Sequence, residues 1–368
     1  MKRPQQPPLP PFLFRLLVFI LPLITIIPLK AEQKGPPIKI GVMLPLSGPV
    51  AETGTSVMQS IQLADLHFDS DNRVEFIFED DQMSAKMAVG AVEKLINQQQ
   101  VSALISFSGT VSLAVAPIAE RRGIPLIAIT PLTKVSAGRK FVYTIFVPTS
   151  ELNRLLMSAM EELKLMRAAV VTTQQDALLG IRDAFVEKYR DRIVWQQEIP
   201  PGDTNLHTTV TKLLAQKPDV VYELTLPPQT SRLAKLLREQ GYKGRIVGGP
   251  PMSIPDEIKA AQGALTGAIL PGPDREVSAK VLAEYQSKFR SACVSEGLYG
   301  YDAASIFISL AASENFISAF QQLETVSGLL GSYRVNDENL IDVPGRLLTI
   351  AEDGDVRGWK TSLDERAS

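Results

Sequence analysis

Residues that could bind a ligand cluster between positions 101 and 133. A turn of small polar residues follows the apolar run 103–107, and a second hydroxyl-bearing turn follows the apolar run 124–129. Hydroxyl groups, and the free backbone N–H groups of a helix N-terminus, are the donors that bind anionic ligands. The candidate ligand-binding residues here are Ser108, Gly109, Thr110, Ser112, Thr130 and Thr133. The same hydroxyls also suit a structural role, in which Thr110 or Ser112 caps a helix and Thr130 and Thr133 form a turn.

The pattern around these residues predicts strand, polar loop and helix. Residues 103–107 and 124–129 have the composition of buried strands, and residues 111–122 have that of a helix. In parallel α/β sheets, ligands bind beyond the carboxyl ends of the strands. We therefore expect both hydroxyl-bearing loops to lie at one edge of a sheet.

This alternation appears in two series along the chain, and the stretch above belongs to the first. Three strand and helix pairs are predicted between residues 38 and 122, and a second alternating series between residues 142 and 248. Such series predict largely parallel sheets with right-handed crossovers and helices on both faces. Two later helices, predicted at 278–291 and 301–320, have no strands of their own. We expect them to return to the first domain.

The amino-terminal segment predicts export. Lys2 and Arg3 precede a mainly apolar stretch from Phe12 to Ile27, which is short for a bilayer span and interrupted by Pro22. We interpret residues 1–31 as a secretory signal peptide and expect the mature protein in the periplasm. The alternative is an uncleaved amino-terminal anchor.

Composition argues against several classes of protein. The 368 residues carry a net charge of −2, which becomes −6 without residues 1–31, so nothing indicates a nucleic-acid partner. Two histidines and the single Cys293 give no metal-ligand spacing, and Cys293 is expected to be a buried structural thiol. No dinucleotide fingerprint, phosphate-binding loop or nucleophile elbow is present. We predict a protein without a cofactor and without enzymatic activity.

Five motifs, in order, resemble the type 1 periplasmic binding fold. Within that fold they are similar to the branched-chain amino acid (Leu/Ile/Val) binding-protein family of bacterial ABC transporters. The resemblance runs from about residue 38 to residue 359. The motifs are IKIGVMLPLSGPVAETG (38–54), FEDDQMSAKMAVGAVEKLI (78–96), ISFSGTVSLAVAPIAERRGIPLIAIT (105–130), GYDAASIFISLA (300–311) and GSYRVNDENLIDVPGRLLTIAEDGDVRGW (331–359).

The resemblance implies two α/β lobes with doubly wound parallel sheets, a multi-strand hinge and a ligand cleft between the lobes. The predicted first lobe comprises residues 36–147 and 274–326, and the second comprises 148–273 and 327–368. Closure of such a hinge is driven by a ligand that contacts both lobes only in the closed state. The implied partners are a small amino acid-like ligand and the membrane subunits of an ABC transporter, with homodimerisation through the first lobe as a further possibility.

The resemblance also implies roles for individual residues. The first lobe would hold an amino acid carboxylate through the backbone of Gly109 and Thr110, through Ser108 or Ser112, and through Thr130 or Thr133. In the second lobe, Tyr222 corresponds to a family aromatic residue, with ordinary packing between the lobes as its alternative role. The charge of its neighbour Glu223, which the resemblance does not assign, suits an ammonium group. Adjacent residues on a strand face opposite ways, so regular geometry does not allow both to enter the cleft.

Two other functions remain open. The Leu226-Pro227-Pro228 segment departs from the small, glycine-containing turn of the family, which favours a sensor or protein-binding regulatory module of the cell envelope. A secreted enzyme is the weakest alternative, because no nucleophile, base and acid can be assembled around two isolated histidines.

Overall fold

The computed structural model describes residues 36–69, 71 and 73–360. The predicted signal peptide lies outside these residues. In chain order the strands are β1 (Ile38–Leu44), β2 (Val74–Asp80), β3 (Ala103–Phe107), β4 (Leu126–Ile129), β5 (Val142–Phe146), β6 (Ala168–Thr173), β7 (Ile193–Ile199), β8 (Val220–Leu224), β9 (Arg245–Gly248), β10 (Ile269–Pro273), β11 (Thr325–Gly328), β12 (Gly331–Val335), β13 (Leu340–Asp342), β14 (Gly345–Ile350) and β15 (Val356–Gly358).

The helices alternate with the strands over most of the chain. They are α1 (Ala51–Phe68), α2 (Ala85–Asn97), α3 (Gly109–Arg122), α4 (Thr149–Glu162), α5 (Asp176–Lys188), α6 (His207–Ala215), α7 (Gln229–Glu239), α8 (Pro255–Ala260), α9 (Ala279–Phe289), α10 (Ser295–Leu310) and α11 (Phe316–Gln321). Short 3₁₀ turns occupy Thr133–Val135, Arg190–Arg192 and Pro250–Ser253.

The first sheet has the order β11-β12-β13-β5-β4-β3-β1-β2. From β2 to β13 every pairing is parallel, and among the described strands of this sheet only β12 runs in the opposite direction, paired antiparallel with both β13 and β11. All residues of β3, β4 and β5 are buried, as expected for central parallel strands covered by helices on both faces. This burial on both faces explains why the sequences of these strands are nearly continuous apolar runs.

The second sheet has the order β15-β14-β10-β9-β8-β6-β7. Strands β6 to β10 pair in parallel, and β14 and β15 close one edge in antiparallel fashion. The predicted architecture of two α/β lobes with mainly parallel sheets is confirmed.

The late helix α10 packs against α1 of the first lobe at very short range. A Cβ atom added at Gly300 would lie 2.8 Å from Val57 Cγ1, and one added at Gly297 would lie 2.7 Å from Ser60 Oγ. Only glycine permits this approach without displacing α1. Cys293, just before α10, is a buried free thiol, as predicted.

The predicted boundary between the lobes at residue 327 requires a correction. The sequence prediction places residues 327–342 in the second lobe, whereas β11, β12 and β13 belong to the first sheet through the pairing of β13 with β5. Asp302 of α10 fixes this segment, because its carboxylate accepts hydrogen bonds from the Leu329 amide at 2.8 Å and the Tyr333 hydroxyl at 2.6 Å. After β13 the chain returns to the second sheet at β14.

Within residues 36–360, three connections join the lobes, after β5, β10 and β13. They pack on one another: the Val343 amide donates to the Phe146 carbonyl at 3.1 Å, and a Cβ at Gly345 would lie 2.7 Å from Val147 Cγ1. The guanidinium of Arg346 pairs with Asp274 at 3.0 Å beside the connection that follows β10. The three crossings therefore form a single multi-strand hinge.

Candidate functional site

A cavity lies between the two lobes, where the carboxyl ends of parallel strands from both sheets face each other. Its volume is about 70 Å³. From the first lobe it is lined by Met83, Phe107, Ser108, Ile129, Thr130, Pro131, Phe146 and Glu296, and from the second by Gln175, Ala177, Leu178, Ile181, Leu226, Pro250 and Pro251. Most of these side chains are apolar, with Ser108, Thr130, Gln175 and Glu296 as the polar side chains.

The lobes touch beside this cavity, so the structure is closed. The Thr110 hydroxyl of α3 donates to Asp176 Oδ2 of α5 at 3.1 Å. A Cβ at Gly109 would lie 3.3 Å from the Cβ of Ala177 in the opposite lobe. Because one water needs about 10–15 Å³ of such space, the cavity holds roughly five waters, which is less than a small organic ligand needs. A ligand therefore enters only if the lobes separate.

Ser108 shapes the first-lobe wall. Its Oγ caps α3 by accepting from the Val111 amide at 3.4 Å, and its backbone adopts φ 74° and ψ 152°. This conformation is nearly reserved for glycine and costs on the order of 1–3 kcal/mol. In a helix, the amides that follow the N-cap have no intrahelical acceptor, so Gly109 and Thr110 offer donors beside the cavity.

Thr130 lies at the cavity and Thr133 does not. The Thr130 side chain is buried, lines the cavity, and accepts from the Leu132 amide at 3.3 Å. Thr133 begins the 3₁₀ turn after β4, where its carbonyl accepts from the Ser136 amide at 2.9 Å. Of the two threonines predicted after β4, the structure brings only Thr130 to the site.

Ser112 is packed behind the site. Its hydroxyl is fully buried and hydrogen bonded to Ser106 Oγ at 2.8 Å. Neither serine lines the cavity. The pair instead joins α3 to β3 beneath it.

Tyr222 and Glu223 belong to the interior of the second lobe. Tyr222 packs edge-on against Phe185 with ring centroids 4.8 Å apart, and its hydroxyl donates to Asn153 Oδ1 at 3.5 Å. Neither residue lines the cavity, because both lie within β8 while the cavity lies beyond its end. The residue that reaches the cavity after β8 is Leu226.

Glu223 is a buried acid held away from the cleft. Its Oε1 accepts from the Thr225 hydroxyl at 2.7 Å, and its Oε2 has no hydrogen-bond partner among the described residues. Burial raises the pKa of Glu223 to about 8, opposed by the Thr225 hydrogen bond and reinforced by the nearby Glu257.

Glu296 is a site residue that the sequence patterns did not indicate. It lies in the first turn of α10, is 5 % exposed and lines the cavity. Burial raises the pKa of this carboxyl to about 7, although its own backbone N–H and the positive charge of Arg275 oppose the shift. The available signal was a lone acid in the small and apolar stretch Val294-Ser295-Glu296-Gly297-Leu298.

Gln175 was not predicted either, and it shapes the second-lobe wall. It caps α5, where its Oε1 accepts from the Ala177 amide at 3.0 Å and from the Leu178 amide at 3.1 Å. Within the described ranges, no group of three or more His, Cys, Asp or Glu side chains is arranged to hold a metal ion. The cavity walls thus combine hydroxyls, the N-termini of α3 and α5, the Gln175 amide and the Glu296 carboxyl with apolar surface.

Comparison with known proteins identifies the family. The family model described as periplasmic binding protein matches residues 37–355. This chain belongs to that family. The family is one of solute-binding proteins and not of enzymes. None of the helices in the described part of the chain is both long and apolar enough to cross a bilayer.

Individual relatives agree with this assignment. The Leu/Ile/Val-binding protein BraC3 of Rhizobium johnstonii is 23% identical over 264 residues, which cover 67% of this chain and 72% of that protein. Among solved structures, LivJ of Streptococcus pneumoniae in complex with isoleucine has a TM-score of 0.78 at 20% identity, covering 88% of this chain and 100% of LivJ. An R. palustris solute-binding protein in complex with benzoate has a TM-score of 0.77 at 17% identity, covering 88% of this chain and 95% of that protein. The resemblance predicted from the sequence motifs is confirmed.

Proposed function

We propose that this chain is an exported solute receptor that captures a small carboxylate, an amino acid or a related acid, between its lobes and delivers it to an ABC importer. The observation that carries the proposal is the first-lobe wall. There Ser108, Thr130 and the N-terminus of α3 meet beside one cavity. Convergent hydroxyl and N–H donors at a helix N-terminus stabilise a negative charge, and more strongly when water is excluded.

The rest of the cavity suits an apolar ligand body. Its walls include Phe107, Ile129, Phe146, Leu178 and Leu226. The two ligands named in the compared structures, isoleucine and benzoate, both join a carboxylate to an apolar group. A carboxylate at the α3 wall would place such a group against these side chains.

Closure would convert binding into a shape that a membrane partner recognises. Thr110 of the first lobe and Asp176 of the second already meet in the closed form. A ligand that contacts both lobes favours closure by the difference between its affinities for the closed and open states, with the lobes far enough apart to hold it. Export by residues 1–31 and dimerisation through the first lobe stay predictions.

The test begins with native mass spectrometry of the exported protein, purified without added ligand, and identification of any small molecule that co-purifies. Calorimetric titration then compares the wild type with Ser108→Ala and Thr130→Val. Loss of one hydrogen bond to a carboxylate, worth about 1.5–3 kcal/mol, should weaken binding about 10- to 150-fold. The control Thr133→Val removes a hydroxyl that does not line the cavity and should change affinity less than about threefold.

One observation favours the alternative, a sensor or protein-binding module. The cavity of about 70 Å³ is small, and Leu226, Pro250 and Pro251 occupy its second-lobe side. A protein that is purified empty, binds no member of a broad solute panel and captures an envelope protein would fit that function and would refute solute delivery.

A further inference from the structure

Among the described residues, Glu296 is the one acid that lines the cavity between the lobes, and one of its oxygens is unsatisfied. Its Oε2 is buried and has no hydrogen-bond partner within the part of the chain that the structure describes. A buried carboxylate oxygen without a partner is costly, by several kcal/mol when the group is charged. A ligand in this cavity can supply the hydrogen bond that Glu296 Oε2 lacks.

The protein itself supplies no direct counter-ion from its described residues. No basic side chain among them lies within ion-pairing distance of Glu296. The positive charge of Arg275 acts on Glu296 from a distance. The Arg275 guanidinium donates its hydrogen bond to the Cys293 carbonyl, at 3.0 Å. The carboxyl of Glu296 is therefore available to a cation that enters the cavity.

The position of Glu296 in the fold restricts its movement. Glu296 lies in the first turn of α10, which packs tightly against α1 of the first lobe, so its backbone is held in place. Phe146, another residue of the cavity wall, packs against Tyr299 of the same helix with ring centroids 4.3 Å apart. The carboxyl is thus presented from a rigid wall beside an aromatic surface.

We propose that Glu296 determines ligand class by accepting a hydrogen bond and ion pair from a cationic nitrogen of the ligand. This inference rests on the proposed function, because the same cavity must hold the ligand carboxylate at Ser108 and Thr130. A ligand with both an ammonium and a carboxylate would satisfy the hydroxyl wall and Glu296 together. A carboxylate without an amine would leave Glu296 Oε2 buried and unpaired.

The test uses matched ligands that differ by one charged group. L-leucine, 4-methylpentanoate and 3-methylbutylamine share one branched carbon skeleton, and L-phenylalanine, 3-phenylpropanoate and 2-phenylethylamine form a second set. Each is titrated calorimetrically at pH 8 into the wild type, Glu296→Gln and Glu223→Gln. The control Glu223→Gln also neutralises a buried acid with an unpaired Oε2, but one that does not line the cavity.

The wild type should bind the amino acid of at least one set about 30-fold more tightly than its desamino analogue, since leaving a buried charge unpaired costs about 2 kcal/mol or more. Glu296→Gln should lose this preference, and Glu223→Gln should keep it within about threefold. The same Glu296→Gln change should leave the affinity for the desamino acids nearly constant or increase it.

The results that would overturn the inference are distinguishable from one another. A wild type that prefers desamino acids, with binding lost in Ser108→Ala, would leave the proposed function standing and refute the role of Glu296. That role is refuted as well if Glu296→Gln folds and retains the wild-type preference. A wild type that binds none of the six compounds would count against both proposals together.

Discussion

Neutralising Glu223 should stabilise the protein at neutral and alkaline pH and leave it unchanged in acid. Burial raises the pKa of this carboxyl from 4.5 to about 8. Because the folded-state pKa lies above the unfolded one, the wild type has its full stability below about pH 4.5 and loses it as the pH rises toward 8. At 1.36 kcal/mol per pKa unit, the loss reaches about 3 kcal/mol at pH 7 and about 4 kcal/mol at pH 8. Glu223→Gln has no proton to lose and escapes this penalty.

Urea unfolding at pH 4, 6, 7 and 8 measures the effect, with the fluorescence of Trp195 on β7 and of Trp359, hydrogen bonded to β14, reporting on the second lobe. Glu223→Gln should match the wild type within about 1 kcal/mol at pH 4, because the neutral acid and the amide have the same shape. Glu187→Gln is the control, since Glu187 is exposed on the neighbouring helix α5. A difference between Glu223→Gln and the wild type that stays constant from pH 4 to pH 8 would refute the assignment of Glu223 as a buried, neutral acid.

Two further predictions concern closure and the first-lobe core. Thr110→Val removes the hydrogen bond to Asp176, worth about 0.5–1.5 kcal/mol, and should shift the ligand-free protein about 2- to 10-fold toward the open form, which enlarges its radius of gyration in X-ray scattering; an unchanged radius would show that this contact does not hold the lobes. Gly300→Ala should destabilise the protein by about 1–3 kcal/mol in thermal unfolding, because its Cβ would lie 2.8 Å from Val57 Cγ1 and 3.2 Å from the Val57 carbonyl oxygen. The control is Gly90→Ala on α2, where no atom lies within 4 Å of the added Cβ, and it should be neutral or slightly stabilising. Equal changes in stability at Gly300 and Gly90 would contradict the packing argument.

The strands and helices around the candidate site were predictable where one sequence feature, such as a continuous apolar run, decides the structure. The strand Ala103–Phe107 was predicted with its observed bounds, because a run that is buried on both faces must be apolar throughout. Helix α3 was predicted from Val111 but begins at Gly109. Gly109 and Thr110 have little helical preference of their own, so the Ser108 cap determines where the helix starts.

Of the residues predicted for the candidate site, only some from the first lobe line the cavity. Ser108 and Thr130 follow strands whose ends are marked by a change from apolar to polar residues, and both lie at the cavity. Tyr222 and Glu223 gave a false signal because β8 is buried along its whole length, so even its polar residues lie inside the lobe. Glu296 was missed because an acid in the first turn of a helix is also what the helix dipole favours. Only the packing of α10 on α1 shows that this acid is buried.

Closure and ligand capture compete for the same space in this cleft. Thr110 meets Asp176 and Gly109 approaches Ala177 beside a cavity that holds only about five waters. A ligand must therefore hold the lobes slightly farther apart than they lie here, and it forfeits some lobe-to-lobe contact as it binds. Affinity then depends on interactions that the empty closed form lacks, since contacts made equally without ligand do not shift the equilibrium. The unpaired carboxyl of Glu296, the hydroxyls of Ser108 and Thr130 and the backbone donors at the start of α3 are interactions of this kind.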